Sequence, residues 1–152
     1  MNWILPVAAG VVLLAVTVLI LRRRFATVMV DGDSMLPAFR AGDRVLVRRA
    51  SLASLRTGQV VVVERPHRDG TWPKRQSGSL GGSQWMIKRV AGLPGDPLPP
   101  GCSFRLPDVS AKLVPPGTLV VLGDNARISH DSRQIGPFPG DRLLGVALRR
   151  VG

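Results

Sequence analysis

A serine hydroxyl attacks a carbonyl only when a base takes its proton and the resulting oxyanion is stabilised. Ser34, in VDGDSMLPAF (residues 30–39), follows Gly-Asp and is closed off by Pro37. A helix cap or a turn would use the same hydroxyl, so the choice of role depends on a base elsewhere. Histidine held by a carboxylate is the familiar one, and the chain has His67 and His130. His130 adjoins Asp131, but neighbours on a strand point to opposite faces. His67 lies in a glycine-rich stretch.

Lysine is the alternative base, once burial disfavours its ammonium form. Lys74 falls in a polar stretch and Lys112 in a proline-rich one, whereas Lys88 sits in WMIKRVAGLPGD beside Trp85, Met86, Ile87 and Val90. A half-exposed strand lysine that snorkels to water would have the same neighbours. Service as a base near neutral pH needs a pKa about two or three units below ~10.4, a cost of roughly 3–4 kcal/mol. Arginine there could not deprotonate. A third segment, VLGDNARISHDSRQIGPF (121–138), carries Asp124, Asn125, Ser129, Asp131 and Arg133. It reads either as a turn with a local Asp-Arg pair or as a polar floor that positions a base.

The elements that must hold these residues are strands. DRVLVRR (43–49), QVVVVER (59–65), QWMIKRVA (84–91), TLVVLGD (118–124) and LLGVALRR (143–150) are short, rich in Val, Leu and Ile, and bounded by Gly, Pro or Asp. ASLASLRTG (50–58) has room for one helical turn. The expectation is an all-β, barrel-like domain. Two stretches read as surface loops: 67–83, polar and glycine-rich, and 93–117, too dense in proline for central strands. Gly-Asp recurs at 32–33, 42–43, 95–96, 123–124 and 140–141, which is turn chemistry at most of these places.

Ahead of the strands, Trp3 to Leu21 is free of charge and ends at Arg22, Arg23 and Arg24. A helix over that run spans roughly 28 Å, close to a bilayer's hydrocarbon core. A cleaved leader would carry its positive charge before the apolar run and small residues after it. The division expected is an anchor with its basic flank over 1–24 and a catalytic domain over 25–152. With 21 Lys+Arg against 10 Asp+Glu the net charge is +11. Beside an anchor, anionic lipid headgroups are the simplest partner for it. Nucleic acid is not expected, because there is no Tyr and the Trp and Phe are not interleaved with basic residues. Cys102 is the single cysteine, so no disulfide forms within the chain, and with two histidines it makes a poor structural zinc set.

Taken in order, DGDSMLP with GDRVLV, IKRVAGLPGD and GDNARISHDSR resemble the type I signal peptidases, membrane-anchored Ser/Lys endopeptidases. The resemblance spans roughly residues 1–50, 84–96 and 118–148. It implies that Ser34 is the nucleophile and Lys88 the general base, with Ser129 orienting the amine. The Ser34 amide would donate to the oxyanion, Asp131 and Arg133 would form a supporting ion pair, and Asp124 with Asn125 would shape the turn beneath. Met35 and Pro37 would fix the nucleophile loop, with Met35 also lining the substrate groove. Substrates would be precursor proteins bound as extended peptides and cut after small residues at −1 and −3. No metal or cofactor is implied.

Three departures qualify that resemblance. Gly32 stands where some members carry a serine as second oxyanion donor, so that donor is left unassigned. The span between the lysine and GDN motifs is too short for the second β-domain of larger relatives. Arg22 to Arg24 follow the anchor, and the positive-inside rule places them in the cytoplasm, opposite to where preproteins emerge. A dedicated maturation peptidase for one precursor, facing the cytoplasm, therefore stays open. Self-cleaving SOS-response repressors share the Ser/Lys pair, but they carry a helix-turn-helix before the serine where this chain has an apolar span. A non-catalytic basic domain tethered at the membrane is the reading furthest from enzymology.

Overall fold

The computed structural model describes residues 4–73, 84–102 and 112–151. Lys74 and parts of both expected loops lie outside them. Helix α1 (Ile4–Arg24) runs without a break into strand β1 (Phe25–Met29). Its segment Pro6–Arg24 has mean hydropathy 1.9 and is not buried against the rest of the described structure. A helix that is apolar all round is stable only where apolar surface is not wetted, and this one has the length to cross a bilayer.

The remaining strands are β2 (Arg44–Arg49), β3 (Val60–Glu64), β4 (Trp85–Gly92), β5 (Thr118–Leu122), β6 (Phe138–Pro139) and β7 (Leu143–Arg150), with one short helix, α2 (Ser132–Ile135). They form a single seven-stranded sheet in the order β1-β2-β7-β3-β4-β5-β6. Every pairing is antiparallel, and the sheet curls into a half-barrel. The fold is therefore β-dominated with one N-terminal apolar helix. The 50–58 stretch does hold one turn, a 3₁₀ turn at Leu52–Ser54.

Alternation on the strands sets the core. In β1, Ala26 and Val28 point inward, and in β2 Val45 and Val47 do so, while their neighbours face out. Val61, Val62 and Val63 of β3 are all buried, because the curled sheet covers both of its faces there. One cluster gathers Met35 with Val28, Val45, Val47 and Val62; another gathers Val61, Val63, Leu119, Val121 and Phe138. Register shifts at Leu46/Val47, Val62/Val63 and Val90/Gly92 bend the sheet. Gly145 has no side chain because one would run into the Arg48 backbone on the next strand.

The proline-rich stretch adds a small third cluster around Cys102, Val114 and Val120. Its one ladder-like contact among the described residues is the Pro97–Leu113 bridge.

Candidate active site

Ser34 sits on a closed loop between β1 and β2. Val30 donates to the Asp43 carbonyl at 2.8 Å and Gly42 donates to the Val30 carbonyl at 3.0 Å, which pinches the neck of the loop. Gly32 and Gly42 both take positive φ, +84° and +87°, so two of the Gly-Asp turns are glycine-dependent. Within the loop, Phe39 donates to the Met35 carbonyl at 2.9 Å, and the Asp43 carboxylate accepts from the Arg40 amide at 2.9 Å. Met35 is 1% exposed, sunk in the core cluster, and absent from the cleft wall. It anchors the loop from below and does not line the cleft, where the resemblance had placed it.

Lys88 is on β4, on the face that turns away from Arg89. It is 3% exposed, so the snorkelling alternative does not describe it. Its amine donates to Ser34 Oγ at 2.8 Å and to Ser129 Oγ at 3.0 Å. Ser129 Oγ donates in turn to Asp131 Oδ2 at 2.6 Å. That donation uses the hydroxyl's one proton, so toward Lys88 Ser129 can only accept.

Asp131 is fully buried and heavily bonded. Besides Ser129 it accepts from the Gly123 amide at 2.8 Å and from Arg133 Nε and Nη2 at 2.9 and 2.7 Å. It also caps α2: its carboxylate accepts from the Arg133 amide while Gln134 Oε1 accepts from the Asp131 amide.

Electrostatics follow from that geometry. Burial pushes the Lys88 pKa down from 10.5 to about 8, opposed by the nearby Asp131 carboxylate and aided by Arg65 and Arg133. For Asp131 burial acts upward, but Arg133, the Gly123 amide and Ser129 outweigh it and bring the pKa down to about 2. Asp131 is therefore an anion whenever the protein is folded near neutral pH, and Ser129 never competes with an acid proton.

The GDN turn ties these parts together. The Asn125 amide donates to the Ser34 carbonyl at 2.9 Å, and its side-chain amide donates to the Asp33 carbonyl at 3.3 Å. The Ile128 and Ser129 amides donate back to Asn125. Asp124 turns outward and accepts from Arg89 Nε and Nη2 at 2.8 and 2.6 Å. Asp124 thus clamps the turn to β4 without reaching the amine. His67 and His130 are both exposed on the cleft wall, and Ser34 and Asp131 bond to other partners.

Three further residues shape the site. A Cβ on Gly123 would stand 2.6 Å from Ser129 Cβ and 2.7 Å from the Ser34 carbonyl oxygen. Ser132, fully buried, accepts from the Val121 amide at 2.9 Å and fastens α2 to β5. Arg65, at the end of β3, adds positive potential at the amine. The Asp-x-x-Gln of DSRQ was a readable capping signature for α2, whereas Gly123 and Arg65 have no local sequence signal.

Ser34 and Lys88 open onto a cleft of about 730 Å³. The family model "Signal peptidase, peptidase S26" matches residues 1–98 and 102–151. The chain belongs to the S26 signal peptidase family. It is 38% identical over 130 residues to the mitochondrial ATP-independent inner membrane protease subunit 1a of Arabidopsis thaliana, covering 83% of this chain and 70% of that one. It is 33% identical over 144 residues to the probable signal peptidase I-1 of Synechocystis, covering 80% and 68%. With signal peptidase I V of Bacillus subtilis the identity is 27%, but 91% and 92% of the two chains align. This S26 member is a membrane-bound serine endopeptidase with one N-terminal apolar helix.

Proposed function

We propose that the chain cleaves signal or leader peptides from precursor proteins, with Ser34 as nucleophile and Lys88 as general base. The observation that carries this is the 2.8 Å contact between Ser34 Oγ and the buried Lys88 amine. In the neutral form the amine has one lone pair and two N–H groups. With Ser129 able only to accept, one N–H points to Ser129 and the lone pair is free for the Ser34 hydroxyl. Ser34 Oγ attacks the scissile carbonyl as its proton passes to Nζ, and the Ser34 amide donates to the oxyanion. The ammonium then protonates the departing amine. The same amine next deprotonates the water that releases the acyl group from Ser34. Asp131 and Arg133 hold Ser129, Asp124 and Asn125 hold the turn, and residues 25–152 act as the catalytic domain.

The test is a synthetic precursor peptide with Ala at −1 and −3, incubated with the full chain in detergent. Cleavage after Ala that is lost in a folded Ser34→Ala variant is the expected result. Undiminished cleavage by that variant removes Ser34 from the mechanism.

Preproteins emerge at the outer face of the membrane, and the proposed orientation puts the cleft there, with the basic flank against anionic headgroups. Arg22 to Arg24 favour a second reading, a cytoplasm-facing peptidase that matures one precursor. Cys102 is buried and makes a poor label. A cysteine placed at exposed Ala53 in a Cys102→Ala background reports the side directly. Labelling by an impermeant thiol reagent in intact cells supports export processing; labelling only after lysis supports the dedicated role.

A further inference from the structure

One wall of the cleft is formed by the start of the β3–β4 connection. Arg65 continues the ladder, its amide donating to the Gln84 carbonyl at 2.6 Å. The chain then makes a tight turn: His67 donates to the Thr71 carbonyl at 2.8 Å, Gly70 donates to the His67 carbonyl at 3.0 Å, and Asp69 accepts from the Thr71 amide and hydroxyl. Trp72 pins this turn to the body, edge-on to Phe138 at 5.4 Å between ring centres and under the Arg142 guanidinium. The wall is thus a fixed feature of the cleft, and it presents Arg65 and Arg68.

Neither arginine is well neutralised. The ion pair from Arg65 to Asp31 is long, 3.9 Å, between side chains that are 42% and 63% exposed. Arg65 Nε is buried and finds no acceptor. Arg68 makes no hydrogen bond or ion pair with another described residue. Asp33, also on the cleft, is engaged from behind by the Ala41 amide at 3.4 Å. Arg68, exposed on the cleft wall, and the wetted part of the Arg65 guanidinium lie beside the groove proposed for an extended peptide, and such a site is suited to a carboxylate.

We propose that Arg65 and Arg68 select precursors carrying an acidic side chain within a few residues of the scissile bond. This rests on the peptidase reading of the site, and it names the class of substrate that reading leaves open. The acidic group accepts from Arg65 or Arg68 on the wall, while the small residues beside the scissile bond face Ser34.

The experiment uses peptides with Ala at −1 and −3 and a single Asp, Asn or Lys scanned over the flanking positions. The kcat/KM ratio of Asp to Asn peptides is compared in the unaltered chain and in Arg65→Gln, Arg68→Gln and the double variant. Any change that a variant makes to the Lys88 amine affects both peptides alike, so the ratio isolates recognition. The expected result is a ratio of about three- to tenfold at one or two positions. It falls toward one in the double variant, shrinks in high salt, and turns in favour of Lys with Arg65→Glu. A ratio of one everywhere, or a ratio that survives the double substitution, overturns the proposal.

Binding of the same peptides to the Ser34→Ala chain, read by fluorescence anisotropy, separates the two levels. An acid preference in binding without cleavage of any peptide by the unaltered chain sinks the peptidase reading and leaves the arginine wall standing. Cleavage without any preference does the reverse.

Discussion

Lys88 and Arg89 are consecutive residues of β4, and each faces a carboxylate across the same GDN segment, yet they lead different chemical lives. Lys88 is turned inward and reaches Asp131 only through Ser129. Arg89 is turned outward and meets Asp124 directly, in a two-point bond whose arginine side chain is 39% exposed. Water makes the difference. The inner cation loses its hydration and gains no direct counter-charge, so its proton loosens to a pKa of about 8. The outer cation keeps part of its hydration and gains a carboxylate, so its pKa rises. One strand holds a buried, loosely protonated amine on one face and a clamp on the other, and alternation alone keeps them apart.

Exchanging the two cation types is the strongest way to break this comparison. Lys88→Arg is expected to lower kcat/KM for a leader peptide by about 10³-fold or more, since guanidinium cannot serve as base. Arg89→Lys, which keeps a charge opposite Asp124, is expected to change it by less than about threefold. A loss in Lys88→Arg no larger than that in Arg89→Lys would mean that Lys88 acts through charge alone.

Linkage gives the same contrast a stability readout. The Lys88 pKa is lowered on folding, from 10.5 to about 8. Between those values the unfolded chain binds more protons, so stability rises with pH across that window. Below about pH 8 the buried lysine costs the fold roughly 3 kcal/mol. Lys88→Met is therefore expected to stabilise the inactive chain in denaturant melts at pH 7, with the gain fading toward pH 10.5. Activity of the unaltered chain should climb as pH rises through about 8.

The carboxylates sharpen the comparison next. Asp131→Asn takes the charge from a fully buried acceptor of the Gly123 amide, Ser129 and Arg133, whose own side chain is 23% exposed, and is expected to cost about 2–3 kcal/mol of stability. Because the Asp131 pKa is depressed to about 2, its contribution is complete above its ordinary value of 3.8. It is lost as pH falls from there through about 2. The unaltered chain should lose stability in that window more steeply than Asp131→Asn does. The same substitution removes the charge that holds the Lys88 pKa up, so the rise of activity should move to lower pH. Ser129→Ala is expected to lower kcat about 100-fold with a smaller change in KM, because it frees the amine to turn away from Ser34. A loss confined to KM would assign Ser129 to substrate binding.

The inner network was readable in the sequence to the extent that its members carried their own chemistry. Ser34, Lys88, Ser129, Asp131 and Arg133 lie in three segments, and their types and order resemble one family. The five hydrophobic strands announced themselves by short runs rich in Val, Leu and Ile between Gly, Pro or Asp. β1 did not, although FATVM alternates, because it continues the apolar anchor with only the arginine triplet between. β6, with two residues, is set by its pairing to β5 and by the burial of Phe138. Met35 was expected in the groove from the family resemblance, but its side chain packs into the core cluster beneath the Ser34 loop and does not line the cleft. The close approach at Gly123 and the positive potential that Arg65 adds at the amine come from segments far apart in the chain. No local pattern can encode either.

The outer pair yields the smallest effect and the cleanest one. Asp124→Asn and Arg89→Gln each keep a hydrogen-bonding side chain of similar shape, so both variants should fold. Each is expected to cost about 1 kcal/mol, with a coupling of about 0.5–1 kcal/mol in the double-mutant cycle, falling as salt is raised. Arg89 also donates to the Gly58 carbonyl at 2.8 Å, so its single substitution should cost more than that of Asp124. If the clamp only fastens the GDN turn to β4, both variants keep the pH dependence of cleavage while losing stability. A shift of that pH dependence with Asp124→Asn would show the outer carboxylate being felt at Lys88, and the two faces of β4 would no longer count as separate electrostatic compartments.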